Sequence, residues 1–265
     1  MRTYNCVVCV KQVPDTKKVT GDAMKADGTI NRAALPAIFN PEDRNALEAA
    51  LSVKERYGGT VTVVTMGLPA AKAVLREALM CGADCAILLT DRKAAGSDTL
   101  ATSYILSQAV KSLKPDLVFC GRQAIDGDTA QVGPQIGEKL DFAVVTYLEK
   151  IELDGDTAVA TRDIGTGVET CRAQLPALFT VTEKFGELRP YKMRRVMKYK
   201  DAEPEILDCA AVGCEDSRCG FAGSPTNVNK IMSVVLAGGE FKEVPATDEG
   251  ISGLVAELVA DHTIG

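Results

Sequence analysis

Apolar residues in the first half of the chain fall into short β-branched runs separated by stretches of helical periodicity. The run at residues 4–10, YNCVVCV, reads as a buried strand. Asn40-Pro41-Glu42-Asp43 opens a helix predicted to reach Tyr57, with Asn40 as N-cap and Pro41 at the first helical position. Gly58-Gly59 ends it. A strand follows at 61–66, then a helix from Pro69 with Ala73, Leu75 and Leu79 among its apolar positions, then a strand at 85–90. Ser97-Asp98 caps a helix over 99–113, and a strand at 116–120 leads to a helix over 129–140. Short apolar strands alternating with helices of this length predict βαβ units and a parallel sheet.

The period changes after Phe142. Residues 144–153, 157–162, 167–172 and 177–182 read as strands joined by tight turns, with Asp154-Gly155 as a hairpin turn. They predict an antiparallel extension of the same sheet. Asp27-Gly28, within 23–32, is a second hairpin signal. A strand is expected at 205–213 and a loop at 214–229. An amphipathic helix over 248–261 carries an apolar stripe of Ile251, Leu254, Val255, Leu258 and Val259. The expected fold is an α/β, Rossmann-like parallel sheet with flanking helices, an antiparallel extension and a C-terminal helical arm. Residues 1–235 form the α/β domain and 236–265 the arm.

Composition narrows the chemistry. One His (His262) in 265 residues excludes multi-His metal sites and weakens Ser-His or Cys-His catalysis. With no Trp and 5% aromatic residues, base stacking on single strands is not expected. A net charge of −6 argues against a general nucleic-acid binder. The nine cysteines are odd in number and lie mostly in apolar runs, which suits buried thiols in a reducing cytoplasm. Cys6 and Cys9 share one strand three positions apart, so their thiols point to opposite faces. Cys214 and Cys219, in the Gly-containing stretch CEDSRCG, allow a local disulfide or metal clip, but four spaced ligands are missing and plain surface or loop thiols are expected. No run is long and apolar enough for a membrane span, and no signal peptide is evident; a cytoplasmic location is expected.

The densest candidate chemistry follows the strand ending at Cys120. The stretch 121–134, GRQAIDGDTAQVGP, is a strand end, a polar loop and a helix N-terminus. Backbone amides and the helix dipole there favour a phosphate. Thr129 and Gln131 can donate to phosphate oxygens; Asp126 and Asp128 can accept from a ribose or orient the loop. Cys9-Val10-Lys11 and Val64-Thr65-Met66-Gly67 end two further strands on the same sheet edge, where backbone groups suit an adenine. The stretch 96–103, GSDTLATS, is a hydroxyl-rich helix start suited to a second phosphate or a flavin edge. No Walker motif is present, and no G-x-G-x-x-G follows the first strand.

Together VCVKQVPD (8–15), NPEDRNALEAAL (40–51), GRQAIDGDTAQVGPQIGEKL (121–140) and GVETCRAQLPALFT (167–180) resemble the β subunit of electron transfer flavoproteins. The resemblance covers roughly residues 4–200. It implies a heterodimer with an α subunit that carries FAD. It also implies an adenine nucleotide held by Cys9, Asn40, Glu42, Asp43, Met66, Gln123, Asp126, Asp128, Thr129, Ala130, Gln131 and Gly133, with Gly127 and Val132 in the same loop. In simpler members that nucleotide is a structural AMP. In electron-bifurcating members it is part of a second FAD, with NAD(H) beside the ring and ferredoxin as a further redox partner. Asp98, Thr99 and Thr102, and the side-chain-free Gly127, resemble the bifurcating type. AMP remains the alternative, and a nucleotide-sensing module like the universal stress proteins is a second one. The basic segment 184–200 falls where the family recognises a flavin-dependent dehydrogenase. Tyr191 or Met193 would be an apolar anchor there, with Arg189, Arg194 and Arg195 steering an acidic surface. The C-terminal helix would contact the α subunit.

Overall fold

The residues of the first strand are buried on both faces, which demands a sheet covered on both sides. The computed structural model describes residues 2–15, 35–226, 243–261 and 263–264, and supplies that cover. In chain order the elements are β1 (Tyr4–Cys9), β2 (Gln12–Pro14), β3 (Ala37–Phe39), α1 (Pro41–Tyr57), β4 (Gly59–Met66), α2 (Lys72–Cys81), β5 (Cys85–Leu89), α3 (Thr99–Leu113), β6 (Leu117–Gly121) and α4 (Val132–Leu140). They continue with β7 (Ala143–Asp154), β8 (Thr157–Asp163), β9 (Val168–Gln174), β10 (Ala177–Val181), α5 (Met193–Tyr199), β11 (Glu205–Leu207) and α6 (Asp248–Ala260).

Among the described residues, nine strands form one sheet in the order β11-β5-β4-β1-β6-β10-β7-β8-β9, and β2 pairs with β3 in a separate ladder. Two apolar layers cover the sheet. One gathers Cys6, Val8, Leu47 and Leu75 beneath α1 and α2; the other gathers Val7, Cys9, Ile105 and Ile136 beneath α3 and α4. Cys6 and Cys9 therefore do lie on opposite faces, as strand alternation requires. All nine cysteines are free thiols.

The antiparallel expectation holds for β7, β8 and β9 but not for residues 177–182. β10 inserts between β6 and β7 and runs parallel to both. All five of its residues are buried, so it needs a neighbour on each side, whereas β9 is mostly exposed and suits an edge. The strand expected at 205–213 stops at Leu207, and Cys209 already belongs to a turn.

Three helix starts also differ in detail. Asn40 sits at the N-cap position of α1 but makes no capping bond, because its amide is used elsewhere. Residues Pro69–Ala71 form a tight 3₁₀ turn before α2 begins. The helix expected from Thr129 begins at Val132, because Asp128 and Ala130 are left-handed, with φ of 48° and 52°. Among the described residues, no helix is long and apolar enough to cross a membrane. No residue of α6 is buried, and of its apolar stripe Ile251, Leu254, Val255 and Val259 are exposed and Leu258 is half-buried. The Asp27-Gly28 turn, the boundary at 235/236 and His262 lie outside the described residues.

Candidate functional site

From β1 the chain winds outward through β4 and β5, then crosses back to place β6 on the other side of β1. Strand order reverses there, so the connections after β1 and β6 diverge and leave a crevice at the carboxyl ends. Cys9 and Cys120 are register partners at that point. A cavity of about 400 Å³ opens above them.

One wall is built from α1 and the loop after β6. Asp43 accepts the Lys11 amide at 2.8 Å and the Gly121 amide at 3.1 Å. Burial pushes its carboxyl up to about 7, although the hydrogen bonds from Asn40, Lys11 and Gly121 favour the ionised form. Glu42 accepts the Gln123 amide at 2.9 Å and pairs with Arg122 at 2.7 Å, which holds the guanidinium more firmly charged. Asn40 donates to the Gln123 carbonyl at 2.9 Å and accepts the Ile125 amide at 3.2 Å. These bonds explain the missing cap: the α1 N-terminus spends its polar groups holding the 121–126 backbone.

The opposite wall is the N-terminus of α3. Asp98 accepts the Leu100 and Ala101 amides at 2.9 and 3.0 Å and the Thr226 hydroxyl at 2.6 Å. Burial opposes its charge, but the bonds from Thr226, Ala101 and Leu100 outweigh it and hold the carboxyl below its ordinary value. Thr99 donates to Gln131 Oε1 at 2.8 Å, and Ser103 donates to Gln135 Oε1 at 2.9 Å. These two bonds fix the spacing between α3 and α4. At the floor, the Cys9 contact and then burial push the Cys120 thiol up.

The α4 N-terminus closes the site. Among the described residues, the amides of Thr129, Ala130, Gln131, Val132 and Gly133 have no acceptor, and Pro134 has no N–H to satisfy. The left-handed Asp128 and Ala130 turn this run of backbone toward the cavity. Free amides at a helix start are an anion cradle. Among the described residues none obstructs Gly127, where an added Cβ would meet nothing within 4 Å.

Most expected cofactor residues line this cavity: Cys9, Asp43, Met66, Asp98, Thr99, Thr102, Gln123, Gly127, Asp128, Thr129, Ala130, Gln131, Val132 and Gly133. Asn40, Glu42 and Asp126 stand behind the wall. Asn40 and Glu42 hold backbone, and Asp126 pairs with Lys11 at 2.8 Å. Leu106 and Cys120 line the cavity too, and so does Arg122 beside its Glu42 partner. Leu106 and Cys120 carried no signal beyond an apolar helix face and a strand end. The Lys11–Asp126 and Arg122–Glu42 pairs bridge distant parts of the chain, which local spacing does not reveal.

The basic segment behaves in two ways. Arg189 forks onto Glu48 at 2.7 Å and reaches Glu55 at 3.2 Å. Arg195 donates to the Leu79 carbonyl at 2.7 Å, also bonds the Ala83 carbonyl and lies over the Tyr199 ring. Those two cations tie the segment to α1 and α2. Tyr191, Met193 and Arg194 face outward, with Met193 74% exposed.

The chain matches the electron transfer flavoprotein domain family over residues 27–210. It is 44% identical to the electron transfer flavoprotein subunit beta of Clostridium acetobutylicum, over 98% of this chain and 100% of that protein. It is 42% identical to the caffeyl-CoA reductase-Etf complex subunit CarD of Acetobacterium woodii, over 97% and 99%. It is 40% identical to the acryloyl-CoA reductase electron transfer subunit gamma of Anaerotignum propionicum, over 100% of both chains. With the nucleotide-sized crevice at the β1/β6 reversal, these matches place it: the chain belongs to the β-subunit family of electron transfer flavoproteins.

Proposed function

We propose that the chain holds FAD in the β1/β6 cavity, receives hydride there from NADH, and works as the β subunit of a bifurcating electron transfer flavoprotein. The observation that carries this reading is the opposition of two helix N-termini across one cavity. Residues 98–102 form one wall and 127–133 the other. The α4 start offers free amides for one phosphate, and the α3 start, whose Leu100 and Ala101 amides are taken by Asp98, extends the polar lining with Asp98, Thr99 and Thr102, which suits a ligand longer than a mononucleotide. The donor set fits: free amides and hydroxyls for phosphate, the strand ends at Cys9 and Met66 for an adenine, and open space at Gly127. A cavity of about 400 Å³ lies within the range of cofactor sites.

Bound FAD would supply hydride acceptance and one-electron transfer. The chain's own residues bind and orient. Thr129 and Gln131 present hydroxyl and amide groups beside the free backbone N–H run. Asp43 and Glu42 fix the 121–123 backbone, and the Thr99–Gln131 bond sets the width of the cleft. The partners in this reading are an electron transfer flavoprotein α subunit, ferredoxin and a flavin-dependent dehydrogenase. The names of the caffeyl-CoA and acryloyl-CoA reductase relatives support a dehydrogenase-type complex. Met193, flanked by Arg194, offers an exposed apolar anchor for the dehydrogenase, and the α6 stripe a surface for the α subunit.

Co-expression with the α subunit and a count of bound nucleotides tests this. A second FAD per heterodimer and bleaching by NADH are expected. FAD in the α subunit with AMP here, and no NADH oxidation, overturns the bifurcating reading and leaves a plain electron carrier. A monomer that binds ATP and never flavin overturns both.

A further inference from the structure

Cys209, Cys214 and Cys219 lie five residues apart in sequence, and their Sγ atoms fall within 4.8 Å of one another. The convergence arises because β11 ends at Leu207, so Cys209 turns into the loop instead of continuing along the strand. Cys214 then returns its amide to the Cys209 carbonyl at 2.9 Å, closing a turn that brings the two residues together. Cys219 follows a short 3₁₀ turn at Asp216–Arg218. Cys209 and Cys219 are buried and Cys214 half-buried, so the cluster opens outward on one side.

We propose that these three thiolates hold a single zinc-class divalent ion that closes the 209–219 turn on itself, just before the 220–226 stretch that meets the start of α3. Zinc–thiolate bonds of about 2.3 Å in a tetrahedron set neighbouring sulfurs about 3.8 Å apart, close to the observed cluster. Soft thiolates select zinc over hard cations. A four-iron cluster would call for a fourth thiolate, and the described residues bring no fourth one here. Asp91, which accepts the Cys209 amide at 3.1 Å, stands beside the cluster with the solvent as source of the remaining ligand. Arg218 lies next to Cys214 and offsets the surplus negative charge.

The site has a structural purpose. The 209–226 stretch is irregular apart from one short turn; its buried Cys209, Val212 and Cys219 and the bonds of the Glu215 and Gly220 amides to Tyr104 and Ser97 seat it beside α3. A bound ion would hold a long loop without its own secondary structure more firmly in that seat. The loop delivers Ser224, whose hydroxyl accepts the Asp98 amide at 2.8 Å, and Thr226, whose hydroxyl donates to Asp98 at 2.6 Å. The ion would thereby steady one wall of the cavity from outside.

Elemental analysis of the full chain, purified without chelator, should find about one zinc per chain. Cobalt(II) added to the stripped protein should give thiolate charge-transfer absorption and the visible bands of a tetrahedral ion. Cys214→Ser should lower zinc content severalfold, and Cys85→Ser, at an exposed thiol outside the cluster, should not. The cobalt spectrum of the unmutated chain keeps the test independent of whether the variant folds. Three freely titrating thiols with no zinc and no cobalt spectrum overturn the proposal. So does a disulfide within the trio, or iron with acid-labile sulfide.

Discussion

Asp43 accepts the Gly121 amide at 3.1 Å, and a Cβ at Gly121 would lie 2.7 Å from the Glu42 carbonyl carbon and 2.8 Å from the Asp43 nitrogen. The first turn of α1 and the end of β6 therefore meet backbone to backbone. The contact couples a carboxylate to the strand end on which the cavity rests.

Gly121→Ala is expected to cost about 2 kcal/mol, because the clash is with main chain and not with a flexible side chain. Urea unfolding would show the loss, and AMP or FAD titration should weaken with it. A stability unchanged from wild type would contradict the close approach.

Asp43 also gives a pH signature. Its carboxyl titrates near 3.8 unfolded and about 7 in the fold. Between those values the folded state holds a proton that the unfolded state has lost. Stability from this group is therefore complete below the unfolded value and is lost as pH rises through the folded one. The size is on the order of a few kcal/mol. Asp43→Asn removes the titration. The stability difference between wild type and Asp43→Asn should thus decline from about pH 4 to 7 and then level off. A difference independent of pH across that window would rule this out.

Glu48 works with the opposite sign. Burial raises its carboxyl, but the Arg189 fork outweighs burial and holds it below the ordinary value. Its contribution is present above the unfolded value and fades in acid. Glu48→Ala should cost about 2 kcal/mol at neutral pH and loosen the 187–200 segment. Faster tryptic cleavage near Lys192 and Arg194 would report the loosening. Met193→Ala, at a side chain 74% exposed, should leave stability alone and, on the proposed docking role of this segment, weaken only dehydrogenase binding.

Gly127→Ala separates ligand from fold. An added Cβ meets nothing within 4 Å, so stability should change by less than about 0.5 kcal/mol. On the bifurcating reading FAD affinity should fall while AMP affinity is kept. Equal affinities for both nucleotides before and after the change would mean the ring does not pass this glycine.

Much of the α/β frame was legible because each parallel strand is a short apolar run and each helix carries its own punctuation. α3 is the clearest case: Asp98 caps it as its side chain requires, and Thr99–Leu113 matches the expected span. The 121–134 loop was legible too, since glycines, aspartates and a proline in that order resist helix. Where it failed was at Thr129, since nothing local says that Asp128 and Ala130 turn left-handed; that is decided by Gln123 bonding Asp128 at 3.0 Å and Thr99 bonding Gln131.

The chain's local pattern determined the alternation of strands and helices, the opposite facing of Cys6 and Cys9, and the motifs that mark the family. Those properties depend on residues within a few positions of each other. Only the tertiary structure decided that β10 runs parallel between β6 and β7, that Asn40 serves the 123–125 backbone instead of its own helix, and that three spaced thiols meet. Each of these depends on which distant segments the packing brings together, and strand neighbours and side-chain partners far apart in sequence leave no local periodicity to read.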